Sequence, residues 1–223
     1  MYLNNYFLPT MLMVLVSAPS AQAQFKSEYR VFQVLVENNP SGTYSQTITT
    51  YGEGTTDITC KSDTKVKVLA MTFQHAFRGN ERWKDGKLIH MASAINDNGA
   101  AHTLQVNADK GKLIIKVGGA ERAAHPETWS SCYWTLPPAE MRKQPSYMID
   151  ADTGIEYQVT WQNMGKDSLI VNKQRVACTH YKVTGNGMPT ADVWFDENDR
   201  LVRRDGVRRG KTVVLMLVSS EIK

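Results

Sequence analysis

The chain has 223 residues, of which 42% are hydrophobic, and its formal net charge at pH 7 is +4. This length suits a single domain and buries enough surface for a stable core. The small positive charge argues against nucleic acid as a partner, because such proteins carry a strong basic patch.

The first residues predict export. Residues 6–16 are mostly apolar but too few for a membrane-spanning helix, which needs about 20 residues. Ala21 and Ala23 then form an A-x-A cleavage site, so we predict that residues 1–23 are a signal peptide. An uncleaved anchor or a buried first strand is the alternative, because no Lys or Arg precedes the apolar run. Residues 24–223 are then one domain in the periplasm or secreted.

Short runs in which polar and apolar residues alternate follow this segment. The first predicted strand covers 29–36, and the turn-rich cluster ENNPSG separates it from a strand rich in Thr and Tyr at 43–52. Residues 55–77 are long for one strand. Their alternation changes parity between Val68 and Leu69, which predicts a single long strand that curls there through a β-bulge or a bend.

The middle of the chain carries regular turn signals and then an interruption. Three turn dipeptides fall about a dozen residues apart: Asp85-Gly86, Asn98-Gly99 and Lys110-Gly111. Two of them are strong hairpin signals. Residues 120–145 contain four prolines and a cluster of aromatic residues, which predicts a loop with a short helical turn after Pro138.

Alternation then resumes to the end of the chain, in the segments 154–165, 168–185 and 189–223, with turns predicted within 196–200 and 205–211. The pattern predicts an all-β protein with roughly ten or more antiparallel strands. A sheet of that size curls, closes or splits in two. We therefore predict a single, strongly curved sheet or half-barrel, with a β-sandwich as the alternative.

Three segments resemble an uncharacterised family of secreted bacterial all-β proteins. ERWKDGKLIHMASAINDNG (81–99) is similar to the family pattern E-x-W-x-x-G-x-L followed by a D-N-G-like turn, and ADVWFDENDRLVRRDGVRRGKTVVLML (191–217) is similar to its closing element. SSCYW (130–134) is the third. Two departures are Asp199 before Arg200, where Gly is usual, and Cys132. The resemblance implies a curved sheet similar in style to periplasmic carriers of lipids and lipoproteins.

The sequence carries no recognisable catalytic or cofactor motif: G-x-S-x-G, H-E-x-x-H and the nucleotide-binding patterns are absent. We therefore predict no cofactor. We also predict no metal, because the cysteines Cys60, Cys132 and Cys178 are far apart and form no C-x-x-C pair. An oxidising compartment permits one disulfide among them and leaves one thiol, and the sequence does not choose the pair.

Aromatic residues suggest a binding role instead. Trp129, Tyr133 and Trp134 cluster in the predicted loop, where binding groups are common, and Trp83 adjoins Glu81 in the first family-like segment. These five residues are the candidate ligand-binding site. The leading hypothesis is a non-enzymatic binding protein for an apolar or amphipathic ligand, such as a lipid or a lipidated partner, with contact at a membrane surface left open.

Two other functions remain open. A secreted hydrolase would use carboxylates across a groove, with Glu81 as the first candidate. A structural envelope module would fill its curved sheet with its own aromatic side chains. The basic segment 200–211 predicts a charged hairpin, which either protects a sheet edge or attracts anionic head groups.

Overall fold

The computed structural model describes residues 25–68 and 71–222. The predicted signal peptide and its cleavage site lie outside these residues. The described chain forms fifteen strands and one short α-helix: β1 Lys26–Val36, β2 Asn39–Thr50, β3 Thr55–Val68, β4 Met71–Lys84, β5 Lys87–Asp97, β6 Ala100–Asp109, β7 Lys112–Val117, β8 Ala120–Ala124, β9 Trp129–Ser130, α1 Ala139–Lys143, β10 Ser146–Ile149, β11 Glu156–Val171, β12 Gln174–Gly185, β13 Met188–Asp196, β14 Leu201–Arg208 and β15 Lys211–Ile222.

All fifteen strands belong to one sheet, which confirms the predicted fold class. The order is β8-β7-β6-β5-β4-β3-β2-β1-β15-β14-β13-β12-β11-β10-β9, so two meanders meet where β1 pairs antiparallel with β15. Every neighbouring pair is antiparallel except β9 and β10. The β-sandwich alternative is not observed, because the described strands form a single sheet.

Tight turns connect most of the strands. Asp85-Gly86, Asn98-Gly99 and Lys110-Gly111 all have positive φ at both residues. This conformation matches the twist of the flanking strands, and glycine adopts it without strain. The three predicted turns are therefore confirmed. In the last hairpin the turn falls at Arg209-Gly210, so Asp205 and Gly206 lie within β14.

The prediction of one long strand over 55–77 was wrong. The segment divides between β3 and β4, which pair antiparallel with Val68 opposite Met71, so the chain reverses direction between them. The parity change marked this reversal. Leu69 and Ala70 are not turn-forming residue types, so this segment carries no turn signal. The bulge or bend predicted between Val68 and Leu69 involves Leu69, which lies outside the described residues.

The sheet curls until its two edges come near each other. Only four residues, 125–128, separate β8 at one edge from β9 at the other. Such a connection spans at most about 17 Å. Alternate side chains, such as Phe32 and Val34 in β1, face the enclosed side and are buried. The sheet is therefore a strongly curved half-barrel around one core.

Residues 129–136, which we call the inner segment, run through the enclosed side of the sheet. Gln46 Nε2 donates to the carbonyl of Cys132 (2.7 Å), and Arg30 Nη1 donates to the carbonyl of Trp134 (2.6 Å). The predicted loop over 120–145 thus contains β8, β9 and, after Pro138 as expected, α1. No helix in residues 25–68 and 71–222 is long and apolar enough to span a membrane.

Candidate functional site

The inner segment contributes to two neighbouring regions of the interior, a tryptophan cluster and a cavity. Trp83, Trp129 and Trp134 form the cluster, with ring centroids 4.5 Å apart for Trp83 and Trp129 and 5.7 Å for Trp83 and Trp134. Trp83 is 1% exposed and Trp129 3%. The structure therefore brings three of the candidate binding residues together, as packed side chains that do not line the cavity.

Glu81 anchors the inner segment beside this cluster. Its carboxyl group is buried and accepts hydrogen bonds from Trp83 Nε1 (2.8 Å to Oε2) and from the hydroxyl of Ser130 at Oε1. Burial raises the pKa of Glu81, although the bonds from Cys132, Ser130 and Trp83 oppose that shift. The donors Trp83 and Ser130 thus fix this carboxyl group between β4 and the inner segment.

A cavity of about 780 Å³ lies on the other side of the inner segment. Its apolar surface comes from strands of both meanders and from the inner segment: Val34, Tyr44, Phe77, Tyr133, Met148 and Leu215. Tyr133 is therefore the one candidate binding residue that lines it. A volume of this size falls within the roughly 300–1,000 Å³ of small-molecule sites.

Small residues keep part of this space open. Ala191 in β13 is paired with Gly206 in β14, and both line the cavity. A Cβ atom added at Gly206 would find its nearest neighbour, the carbonyl oxygen of Thr190, 3.9 Å away. The backbone therefore has room for a larger side chain at this position.

The rim of the cavity is charged. Asp97, at the end of β5, is bonded to His75 Nδ1 (2.7 Å) and to Arg209 Nη2 (2.8 Å), and Arg208 forms an ion pair with Asp152. Burial alone would raise the pKa of Asp97, but the hydrogen bond and charge of His75, together with Arg208 and Arg209, hold it below its ordinary value. The β14–β15 hairpin is thereby linked to β5 and to the chain that follows β10.

Arg204 and Lys211 are the cavity-lining Arg and Lys residues without a carboxylate partner among the described residues. Lys211 is exposed, whereas Arg204 is half-buried. The Cζ atom of Arg204 lies 5.3 Å from the centroid of the Tyr133 ring. In the part of the chain that the structure describes, its guanidinium forms neither an ion pair nor a hydrogen bond. Burial raises the pKa of Tyr133, and the charge of Arg204 opposes that shift.

Sequence reasoning assigned Arg204 only to a basic hairpin. The signal that distinguishes it is the alternation within β14, where Arg203 and Arg204 occupy opposite faces. No group of three or more His, Cys, Asp and Glu side chains in residues 25–68 and 71–222 is arranged to hold a metal ion. The three cysteines are buried thiols, and Cys60 and Cys132 are neighbours.

Comparison with known proteins identifies the family and the fold. A crystal structure of a beta-barrel-like protein of the domain of unknown function DUF1849 from Brucella abortus superposes with a TM-score of 0.64 at 9% sequence identity, covering 91% of this chain and 100% of that one. At this identity the likeness concerns the fold alone. No curated protein matches the chain. A family model described as a domain of unknown function, DUF6134, matches residues 32–218, and the chain therefore belongs to the DUF6134 family.

Proposed function

We propose that this protein is an exported, non-enzymatic binding protein whose cavity receives the apolar part of an amphipathic ligand. The observation that carries the proposal is the cavity of about 780 Å³ with its apolar lining. Protein interiors otherwise pack with few voids larger than a water molecule. An apolar space of this size therefore favours a bound molecule over a core filled entirely by the protein's own side chains.

The distribution of polarity supports an amphipathic ligand. The apolar surface of the cavity includes Val34, Phe77 and Leu215. Its charged rim includes His75, Asp97 and Arg209. An acyl chain inside the cavity would remove apolar surface from water, which contributes about 0.8 kcal/mol for each buried CH₂ group. A lipid or a lipidated partner in the periplasm or outside the cell is the ligand class that fits this arrangement.

The direct test uses the mature protein, residues 24–223, and the neutral apolar fluorophore N-phenyl-1-naphthylamine. We expect its fluorescence to rise on binding to the unaltered protein. Gly206→Leu places a side chain in the cavity, where the backbone has room for it. We expect this side chain to occupy space needed by the probe and to weaken probe binding by about tenfold or more, which corresponds to a loss of about 1.4 kcal/mol of binding free energy. Ala94→Leu adds the same side chain on the exposed face of β5 and is the control.

Thermal unfolding of both variants checks that each is folded. Unchanged probe binding by folded Gly206→Leu would overturn the assignment of the cavity as the binding site. Failure of the unaltered protein to bind any apolar probe would favour a structural envelope module. Lipid extraction and native mass spectrometry of protein purified from its own compartment would then identify a natural ligand.

A further inference from the structure

We infer that the cavity selects amphiphiles with an anionic head, a carboxylate or a phosphate monoester, and that Arg204 binds this head. The inference rests on the proposed function, because it specifies which amphiphile the apolar cavity accepts. It is carried by the placement of one arginine, by the pairing of the other arginines around it and by the chemistry of the guanidinium group.

Two consecutive arginines of β14 have different surroundings. Arg203 is paired with Asp205 through two hydrogen bonds of 2.6 Å, and its Cζ atom lies 5.1 Å from the ring of Trp194. Arg204 lines the cavity and lies over the ring of Tyr133. Because side chains alternate along β14, the guanidinium of Arg203 has its carboxylate partner within the protein, whereas the guanidinium of Arg204 faces the cavity proposed for the ligand.

The other arginines at the cavity already have counter-ions. Arg208 is paired with Asp152, and Arg209 with Asp97. These pairs neutralise both arginines. Lys211 also lines the cavity without a carboxylate partner among the described residues, but it is exposed, so Arg204 is the unpaired cation that is half-buried. A half-buried charge without a counter-ion is unfavourable, and an anion from a ligand would relieve that cost.

The contact with Tyr133 positions Arg204 without satisfying its donors. A cation held over an aromatic ring is attracted to the face of the ring, but its N–H groups remain available. A guanidinium presents these donors as a planar fork, which matches the paired oxygens of carboxylate and phosphate. The head group is therefore expected at the level of Tyr133, with the apolar chain extending along Val34 and Phe77.

The test compares three ligands that share one chain: hexadecanoate, hexadecyl phosphate and hexadecanol. Each displaces N-phenyl-1-naphthylamine from the protein below its own aggregation concentration. We expect at least one anion to bind about tenfold or more tightly than the alcohol, the effect of one hydrogen bond to a charged group. The tighter of the two anions indicates whether the source is a free fatty acid or a phosphorylated lipid.

Arg204→Gln is expected to remove this preference while hexadecanol binding persists, and Arg203→Gln is the matched control that keeps it. Equal binding of the three ligands by the unaltered protein would overturn the inference and leave the proposed function standing. Displacement of the probe by none of them would count against the proposed function itself. Because the first comparison needs no variant, instability of Arg204→Gln would not prevent a decision.

Discussion

At Glu81, donors from two distant parts of the chain meet one buried carboxyl group. The indole of Trp83 belongs to the same strand, and the hydroxyl of Ser130 belongs to the inner segment. Because the group is buried, its charged form is disfavoured and its pKa is raised. A proton is therefore bound more tightly by the folded than by the unfolded protein.

This difference makes stability depend on pH. As the pH rises from the unfolded pKa through the raised folded pKa, the unaltered protein should lose stability, by about 1.4 kcal/mol for each pH unit between the two pKa values. Glu81→Gln removes this titration. The free energy of unfolding of the variant, measured relative to the unaltered protein, should therefore rise with pH over the same range. Urea unfolding from pH 4 to pH 8 measures this trend.

Glu197→Gln, at an exposed position, is the control for the loss of one carboxylate. A constant difference between Glu81→Gln and the unaltered protein at every pH would contradict a raised pKa at Glu81.

The surroundings of Glu81 also show what residue-level reasoning could predict. Glu81 and Trp83 are grouped in the candidate site predicted from the sequence, and their spacing of two residues in β4 puts both side chains on one face of that strand. The sequence could not show that Trp129 and Trp134 pack inside the sheet, because loop composition is similar whether a loop lies inside or outside. Alternation in β14 separates Arg204 from the preceding arginine, but the sequence could not show which of the two has a carboxylate partner, because that depends on three-dimensional contacts.

At the scale of elements, the inner segment is fixed by buried polar contacts. Arg30 in β1 is 4% exposed and donates to the carbonyl of Trp134 and to both oxygens of Glu28. Burial alone would raise the pKa of Glu28, but the hydrogen bond and charge of Arg30 hold it below its ordinary value. Removing Arg30 would leave the carbonyl and the carboxylate without this donor.

We expect Arg30→Met to lower the free energy of unfolding by about 3–5 kcal/mol, as found when one member of a buried ion pair is removed. Arg82 forms a similar two-bond pair with Asp57, but its side chain is 56% exposed. Arg82→Met should therefore cost only about 0–1 kcal/mol. Urea unfolding compares the two, and equal losses would show that Arg30 does not hold the inner segment.

The same segment leads to an expectation about the disulfide that the sequence left unassigned. Cys60 faces Gln46 across strands β2 and β3, and Gln46 is bonded to the carbonyl of Cys132. The neighbouring Cys60 thiol and burial raise the pKa of Cys132, so its reactive thiolate is scarce in the folded protein. A disulfide should therefore form most readily during folding.

We expect refolding with oxidised glutathione to join Cys60 to Cys132, with loss of two thiol protons and transfer of two electrons to the glutathione disulfide. Cys178 should remain a thiol. Peptide mass spectrometry identifies the pair, and Cys178→Ser should form it equally well. A linkage that includes Cys178 would show that the two neighbouring thiols are not the preferred pair.

Prediction at the scale of elements succeeded where the turn chemistry is local. Asn98-Gly99 needs no distant contact to form its turn, and the structure contains it. The β3–β4 hairpin was missed because Leu69 and Ala70 carry no such chemistry. The number and type of strands could thus be inferred approximately, whereas the path of the inner segment depends on contacts such as that between Arg30 and Trp134.

At the scale of the whole molecule, the edge strands of the curved sheet are shorter than its central strands. β8 has five residues and β9 two, and they form the edges, whereas β1 and β15 lie in the middle. Short edge strands limit pairing with other molecules. Central strands are hydrogen-bonded on both sides, so they open only when much of the sheet opens.

Hydrogen exchange should therefore be slowest in β1 and β15 and fastest in β8. The expected measurement is amide exchange followed by mass spectrometry of peptides that cover these strands. Faster exchange in β1 than in β8 would contradict a sheet whose two meanders are joined at β1 and β15.

The pairing of Glu28 with Ile222 has a consequence for how the protein is made. Within each meander, strands pair with their sequence neighbours and can assemble as the chain emerges, whereas β1 must remain without its second partner until β15 is complete. Contacts between such distant residues form slowly, because a long loop must close first. The unpaired edge of β1 is therefore where newly made chains would associate with one another before folding ends. A chaperone would need to cover this edge.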